Sequence, residues 1–178
     1  ALELDGLLAD SPALFFYPGS SIGNFAPGEA TKFLSRIRHY CVARPGSSLL
    51  IGVDGKKEKA LLDAAYDDAL GVTAAFNRNM LRHLNARFEL GFDVNGFAHV
   101  GFYNEAEGRV EMHLESLREQ AVLLDGQERR FAKGERIHTE NSYKYAPDEF
   151  EAVLRDAGFA SIRRWDAPGV AYSVYHAA

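Results

Sequence analysis

The 178-residue sequence predicts an α/β fold in which a parallel sheet is interrupted by a segment of helices and antiparallel strands. Two short apolar runs, at 13–17 and 48–54, flank a helical pattern at 27–42, and such runs are typical of buried strands. Two helical patterns, at 56–70 and 74–88, then follow one another without a strand between them. From residue 97 onward the period becomes two, as in antiparallel strands.

The first predicted strand ends in a short polar loop that begins at Pro18 and Gly19. A strand, a tight loop and a helix form the arrangement in which α/β proteins bind ligands, beyond the carboxyl ends of the strands. Gly19 and Gly23 allow a ligand to approach the backbone, and Asn24 offers both a hydrogen-bond acceptor and a donor. The loop is therefore a candidate site, although by itself it would equally fit a plain strand-to-helix turn.

The helical pattern at 27–42 joins the two apolar runs into a βαβ unit. Pro27 suits the first helical turn, and the apolar face comprises Phe33, Leu34, Ile37, Tyr40 and Cys41. A βαβ unit predicts a parallel strand pair with a right-handed crossover.

The two consecutive helical patterns break this alternation, so we expect an inserted subdomain to begin near Gly55. Tyr66 lies on the apolar face of the first helix, so its ring should be buried and its hydroxyl should need a partner. Thr73 is a suitable N-cap for the second helix. The strands at 97–103 and 109–115 should then form a hairpin with one polar face.

A second hairpin is expected around a turn at Asp125 and Gly126, and a dense polar and aromatic run follows at 137–145. If this run is extended, Glu140 and Ser142 point to one face, because side chains on a strand repeat every two residues. A carboxylate beside a hydroxyl suits a ring that carries N–H groups. An ordinary solvated strand is the alternative. A helix at 147–157 and a terminal strand hairpin complete the predicted elements.

Composition excludes several classes of protein. Apolar residues make up 47% and charged residues 25%, and the net charge is −5 without a basic stripe, which disfavours nucleic acid and anionic membranes as partners. Cys41 is the only cysteine, so no intramolecular disulfide can form, and a cytoplasmic location fits. His99 and His113 could meet across the hairpin, but no close ligand spacing is present, and we predict no metal site.

Five segments, in order and over nearly the whole chain, resemble the histidine-specific, S-adenosylmethionine-dependent methyltransferases of ergothioneine biosynthesis. The matching segments are 16–25 (FYPGSSIGNF), 50–54 (LIGVD), 65–69 (AYDDA), 71–77 (GVTAAFN) and 137–145 (IHTENSYKY). The resemblance implies transfer of methyl groups from S-adenosylmethionine to the α-amino nitrogen of L-histidine, ending at the trimethylated betaine. It implies substrate-binding roles for Asn24, Tyr66, Met112, Glu140, Asn141 and Ser142, and cofactor-binding roles for Pro18 and Gly19.

By this resemblance, Asn24 would accept a hydrogen bond from the substrate amine, and Tyr66 would donate its phenol to the substrate carboxylate. Glu140 and Ser142 would hold the imidazole ring, with Met112 packed against it. No residue stands out as a general base, and we predict that the amine proton leaves to water.

The family combines a Rossmann-like class I methyltransferase domain with an inserted α+β substrate-binding subdomain. Mapped here, the first would comprise 1–54 and 146–178, and the second 55–145. Gly55 departs from the large apolar residue more frequent in the family. The glycine-rich turn and acidic residue that hold S-adenosylmethionine should precede Ala1. The chain is therefore expected to be the C-terminal part of the enzyme and to be inactive by itself.

Two alternatives stay open at this point. One is methylation of another amino acid amine, such as a tryptophan derivative, although Glu140 favours imidazole. The other is a non-catalytic half-methyltransferase that binds an amino acid or a partner chain. For the full-length enzyme, we expect a monomer that acts on small molecules and binds neither nucleic acid nor membrane.

Overall fold

The computed structural model describes residues 4, 11–124 and 126–178. The elements in chain order are β1 (Leu14–Tyr17), a 3₁₀ turn (Ser21–Asn24), α1 (Pro27–Ala43), β2 (Ser48–Asp54), α2 (Lys59–Tyr66), α3 (Val72–Phe88), a second 3₁₀ turn (Val94–Gly96), β3 (Phe97–Asn104), β4 (Arg109–Ser116), β5 (Gln120–Leu124), β6 (Gln127–Phe131), β7 (Arg136–Tyr143), α4 (Pro147–Asp156), β8 (Ile162–Asp166) and β9 (Tyr172–Ala177). The start of the predicted first domain (1–3 and 5–10) and Asp125 of the predicted turn lie outside the described residues.

The chain divides into two compact units. Unit 1 comprises the described residues within 1–57 and 142–178, and unit 2 comprises those within 58–141. The sequence placed its domain boundaries at 54/55 and 145/146. That the two units are a methyltransferase domain and a substrate-binding subdomain stays a prediction.

Unit 1 is built on a four-stranded sheet with the order β1-β2-β9-β8. β1 and β2 are parallel, with Phe16 opposite Leu50, so the predicted parallel pair is confirmed. β9 is antiparallel to both β2 and β8. The mixed α/β class predicted from the sequence is therefore observed, with the terminal hairpin continuing the sheet beyond β2.

The core of unit 1 lies on one face of this sheet, under α1 and α4. Alternate residues of β2 are fully buried there against apolar side chains of the two helices, including Leu49, Ile51, Leu34, Ile37, Phe150 and Leu154. β1 is only half covered, because Phe15 and Tyr17 pack against this core while Leu14 and Phe16 are mostly exposed. The prediction of a buried strand at 13–17 is therefore wrong for Leu14 and Phe16 within the described chain.

Unit 2 contains a three-stranded sheet with the order β3-β4-β7 and a separate hairpin of β5 and β6. β3 and β4 are antiparallel, with Val100 opposite His113 and Phe102 opposite Glu111, which confirms the predicted hairpin. Its larger core joins α3 to the sheet and to β5 and β6, through Leu81, Phe97, Leu114, Val122 and Phe131.

Two local expectations in unit 2 are wrong. His99 pairs with Leu114 and His113 pairs with Val100, so successive side chains place the two histidines on opposite faces of the sheet. Thr73 is not the cap of α3. The Asp68 carboxylate accepts hydrogen bonds from the backbone N–H groups of Val72 and Thr73 instead. These bonds, chiefly those from Thr73, lower the pKa of Asp68 to about 2.

Candidate functional site

The loop after β1 leaves its backbone open at Gly19. This residue has a φ of +77°, and a side chain there would meet no atom within 4 Å. The loop follows the carboxyl end of a parallel strand, which is where α/β folds bind ligands. Ser20 Oγ accepts a hydrogen bond of 2.8 Å from the backbone N–H of Asp54, so the loop is tied to the end of β2. Pro18 and Gly19 are thus held beside the ends of two parallel strands.

The 3₁₀ turn that follows carries Asn24 and packs against the end of β7. Ile22 is fully buried and anchors the turn, whereas Asn24 is exposed. At Gly23 a Cβ would lie 2.7 Å from the carbonyl oxygen of Tyr143 and 3.5 Å from Ser142 Oγ. Only glycine permits this approach. The structure therefore brings the turn that bears Asn24 together with Ser142, as the sequence could not show.

Ser142 is buried and is held by a buried lysine. Lys144 Nζ lies 2.9 Å from Ser142 Oγ and 3.0 Å from Asp54 Oδ2, and its side chain is 1% exposed. Asp54 also forms an ion pair with Lys57. Lys144 lies within the matching segment 137–145, but nothing in the sequence assigns it a role. A lone lysine in a polar run offers no signal that it is buried, because its partner lies 90 positions earlier in the chain.

Tyr66 is the last residue of α2 and is half-buried in unit 2. Its backbone carbonyl lies 2.7 Å from His99 Nε2. His99 Nδ1 lies 2.9 Å from Asn77 Nδ2, which also donates to the His113 carbonyl. Since the amide nitrogen can only donate, Nδ1 accepts, and the Nε2–H of His99 donates to the Tyr66 carbonyl. His99 therefore holds the end of α2 and is not available as a metal ligand.

Met112 lies on β4 and is buried, whereas Glu140 and Asn141 lie on β7 and are only half-buried. The Met112 carbonyl accepts a hydrogen bond of 2.9 Å from Thr139 Oγ1. Among the described residues, Asn141 Oδ1 has no hydrogen-bond partner although it is buried. A buried carbonyl oxygen without a donor is costly, which marks Asn141 as a candidate acceptor for a ligand.

A second cluster lies on the polar face of the hairpin in unit 2, where Glu111, His113 and His138 offer ligand atoms within 4.8 Å of one another. Burial would raise the pKa of Glu111, but hydrogen bonds led by that from Arg109 outweigh it and lower this pKa. Burial also lowers the pKa of His113. The imidazole rings of His113 and His138 stack with their centroids 4.4 Å apart, and His113 Nε2 lies 3.1 Å from a carboxylate oxygen of Glu111. With Arg109 already on the carboxylate, we interpret this cluster as an ion pair with stacked rings.

The predicted site residues are thus divided between the two units. Unit 1 holds Pro18, Gly19, Asn24 and Ser142, and unit 2 holds Tyr66, Met112, Glu140 and Asn141. Within the described residues, no helix has the length and apolarity required to cross a bilayer.

Comparisons with known proteins identify the family of this chain. The model of a family described as histidine-specific methyltransferase, SAM-dependent, matches residues 3–178. The histidine N-alpha-methyltransferase of Mycobacterium tuberculosis is 44% identical over 154 residues, which cover 85% of this chain and 47% of the relative. Ergothioneine biosynthesis protein 1 of Schizosaccharomyces pombe is 29% identical over 164 residues, covering 89% of this chain and 20% of the relative.

A relative named for a different substrate is also similar to this chain. The 4-dimethylallyltryptophan N-methyltransferase of Arthroderma benhamiae is 28% identical over 178 residues, covering 95% of this chain and 52% of the relative. The chain spans about half the length, or less, of these curated relatives. The match of the family model over nearly all of the sequence shows that the chain belongs to the histidine-specific, S-adenosylmethionine-dependent methyltransferases.

Proposed function

We propose that this chain serves in transferring methyl groups from S-adenosylmethionine to the α-amino nitrogen of L-histidine, ending at the trimethylated betaine of ergothioneine biosynthesis. Family membership and the names of two relatives, a histidine N-alpha-methyltransferase and an ergothioneine biosynthesis protein, support this reaction. The structural observation that carries the proposal is the contact of the Gly23 turn with the end of β7. It sets the exposed amide of Asn24 on a turn that packs beside Ser142.

Pro18 and Gly19 fit a role in holding S-adenosylmethionine, which supplies an electrophilic methyl group when it is bound. The fit rests on the open backbone at Gly19 and on its place beyond the carboxyl end of β1. In this proposal the loop offers backbone to the cofactor without a side chain in the way. The Rossmann-like character of unit 1 is part of the same proposal.

Asn24 positions the substrate amine in this proposal. A methyl transfer needs a neutral nitrogen held close to the methyl carbon and aligned with the bond that breaks, so most of the catalysis is positioning. The Asn24 carbonyl accepts one N–H of the amine and thereby aims its lone pair. The turn that carries Asn24 is anchored by buried Ile22 and by the close contact at Gly23.

Residues of β7 recognise the imidazole ring. Glu140 and Ser142 are two residues apart on this strand, so their side chains share a face. The Glu140 carboxylate accepts the ring N–H, and the Ser142 hydroxyl serves the other ring nitrogen. The unpartnered oxygen of Asn141 offers a further acceptor, Met112 packs against the ring, and Tyr66 donates its phenol to the substrate carboxylate.

No general base is assigned among the described residues, and the amine proton leaves to water. We further propose that the enzyme is a cytoplasmic monomer that does not bind nucleic acid or membrane. The single buried Cys41, which is unpaired, is compatible with a reducing compartment.

The test is a mass-spectrometric assay of the full-length enzyme with S-adenosylmethionine and either histidine or tryptophan. Stepwise formation of mono-, di- and trimethylated histidine is the expected result. Turnover of tryptophan in preference to histidine would instead assign the chain to methylation of a tryptophan-type amine, the alternative that its similarity to a 4-dimethylallyltryptophan N-methyltransferase supports. Saturable histidine binding without any product would instead indicate a binding module.

A further inference from the structure

Lys144 is the most deeply buried charged side chain at the candidate site among the described residues. Its side chain is 1% exposed, and its ammonium contacts one carboxylate oxygen of Asp54 and the hydroxyl oxygen of Ser142. A buried ammonium is costly unless it is paired and hydrogen-bonded. Asp54 and Ser142 supply the ion pair and the hydrogen bond that this buried ammonium needs. Lys144 thereby joins the end of β2 to the end of β7.

The direction of the hydrogen bond between Lys144 and Ser142 is set by chemistry. An ammonium group can only donate, so Ser142 Oγ accepts from Lys144 Nζ at 2.9 Å. The hydroxyl proton of Ser142 cannot point toward that ammonium. Any further hydrogen bond that uses this proton is one in which Ser142 donates to an acceptor.

We propose that Lys144 is a positioning residue that fixes the Ser142 hydroxyl as a hydrogen-bond donor, so that Ser142 recognises the unprotonated nitrogen of a neutral imidazole ring. This inference rests on the proposed function, because it assumes that Ser142 contacts the substrate ring. It goes beyond that function by naming the protonation state that is selected. The unprotonated nitrogen of a neutral imidazole accepts this hydroxyl proton, whereas an imidazolium ring has two N–H donors and offers the proton no acceptor.

Asp54 sets the position of Lys144. Its carboxylate pairs with Lys144 on Oδ2 and with Lys57 on Oδ1. Its backbone N–H donates to Ser20 Oγ, beside the open backbone of Gly19. One aspartate at the end of β2 thus links the candidate cofactor loop to the lysine that orients Ser142. Lys57 shares the aspartate on its other oxygen and is partly exposed, which makes it a matched control.

The experiment is a double-mutant cycle in the full-length enzyme with the variants Lys144→Met, Ser142→Ala and the pair. The readouts are kcat/KM for histidine, KM for S-adenosylmethionine and the melting temperature. If Lys144 acts through Ser142, each single variant lowers kcat/KM for histidine by about tenfold, the worth of one ordinary hydrogen bond. The pair should then lose no more than either single variant, and Lys57→Met should keep the wild-type value.

A substrate analogue separates orientation from a merely structural role. A thiazole analogue of histidine has an acceptor nitrogen but no ring N–H, so it keeps the proposed bond from Ser142. Changing Ser142 to Ala should weaken the binding of this analogue relative to the wild type. Changing Lys144 to Met should weaken it by the same factor. If Lys144→Met does not fold, Lys144→Gln takes its place in the cycle, because its amide removes the charge while remaining polar.

The possible outcomes are distinct. Multiplicative losses in the pair, or an unchanged kcat/KM in Lys144→Met, would show that Lys144 does not act through Ser142, while the proposed function would stand. A wild-type enzyme that does not methylate histidine would overturn both the proposed function and this inference. Non-additive losses with an unchanged KM for S-adenosylmethionine support the role of Lys144.

Discussion

Changing Gly23 to alanine tests whether the contact between the Asn24 turn and β7 positions the substrate. The new Cβ would lie 2.7 Å from the carbonyl oxygen of Tyr143 and 3.2 Å from its backbone nitrogen. These are backbone atoms, so no side chain can rotate away. The turn and the strand end would have to separate by roughly 0.7 Å to reach an ordinary van der Waals distance.

The expected cost of Gly23→Ala is about 1–3 kcal/mol in the free energy of unfolding, the usual range for overpacking. A displacement of this size at a positioning residue should also lower kcat/KM for histidine by on the order of 10- to 100-fold. Urea denaturation measures the first quantity in this chain, and steady-state methylation by the full-length enzyme measures the second.

Gly28→Ala is the matched control for this experiment. Gly28 lies in the first turn of α1, and a Cβ there would meet no atom within 4 Å. This variant should keep full activity and should gain up to about 1 kcal/mol of stability, because alanine is the better helix former. If Gly23→Ala is as stable and as active as Gly28→Ala, the close contact is not what places Asn24, and the site geometry proposed here is wrong.

The remaining predictions concern the substrate amine, the ring and the cap of α3. Asn24→Ala should abolish histidine binding, measured by calorimetry, while S-adenosylmethionine binding persists; unchanged histidine affinity would refute its role. The double variant Glu140→Ala, Ser142→Ala should lower the ratio of kcat/KM for histidine to kcat/KM for tryptophan, because a polar site rejects substrates that leave its groups unpaired. An unchanged ratio would contradict recognition of the ring by these two residues. The pKa of Asp68 is lowered in the folded state from 3.8 to about 2, so its carboxylate stabilises the fold above about pH 4 and loses this effect as the pH falls through about 2. The difference in unfolding free energy between wild type and Asp68→Asn should therefore shrink from pH 4 to pH 2, and a difference independent of pH would exclude this cap.

The elements that the sequence predicted well are those with a strong local pattern. The parallel pair of β1 and β2 follows from two apolar runs around one amphipathic helix, and the hairpin of β3 and β4 follows from strict alternation. Local patterns also place Glu140 and Ser142 on one face of β7. A local pattern does not show what packs against each face of a strand. It therefore could not predict that Leu14 and Phe16 are exposed.

The cap of α3 and the contact between two histidines were predicted wrongly from the sequence, for different reasons. Asp68 rather than Thr73 caps α3, because the turn before the helix folds the carboxylate back over its first N–H groups. His99 and His113 looked like neighbours in a hairpin, but strand register alternates side chains between faces and separates them. A register shift of one residue would have reversed this result.

By itself, the sequence determined the α/β class, the order of helices and strands, and the membership of this chain in its family, because periodicity and long matching segments are properties of the chain alone. Only the tertiary structure decided that Gly23 lies against Tyr143 and that Lys144 joins Asp54 to Ser142. Gly23 and Tyr143 are 120 positions apart in the chain, and Lys144 and Asp54 are 90 positions apart. The physical reason is that burial and pairing of a charge arise only when distant segments are brought together, and a lysine has the same letter whether it is solvated or buried.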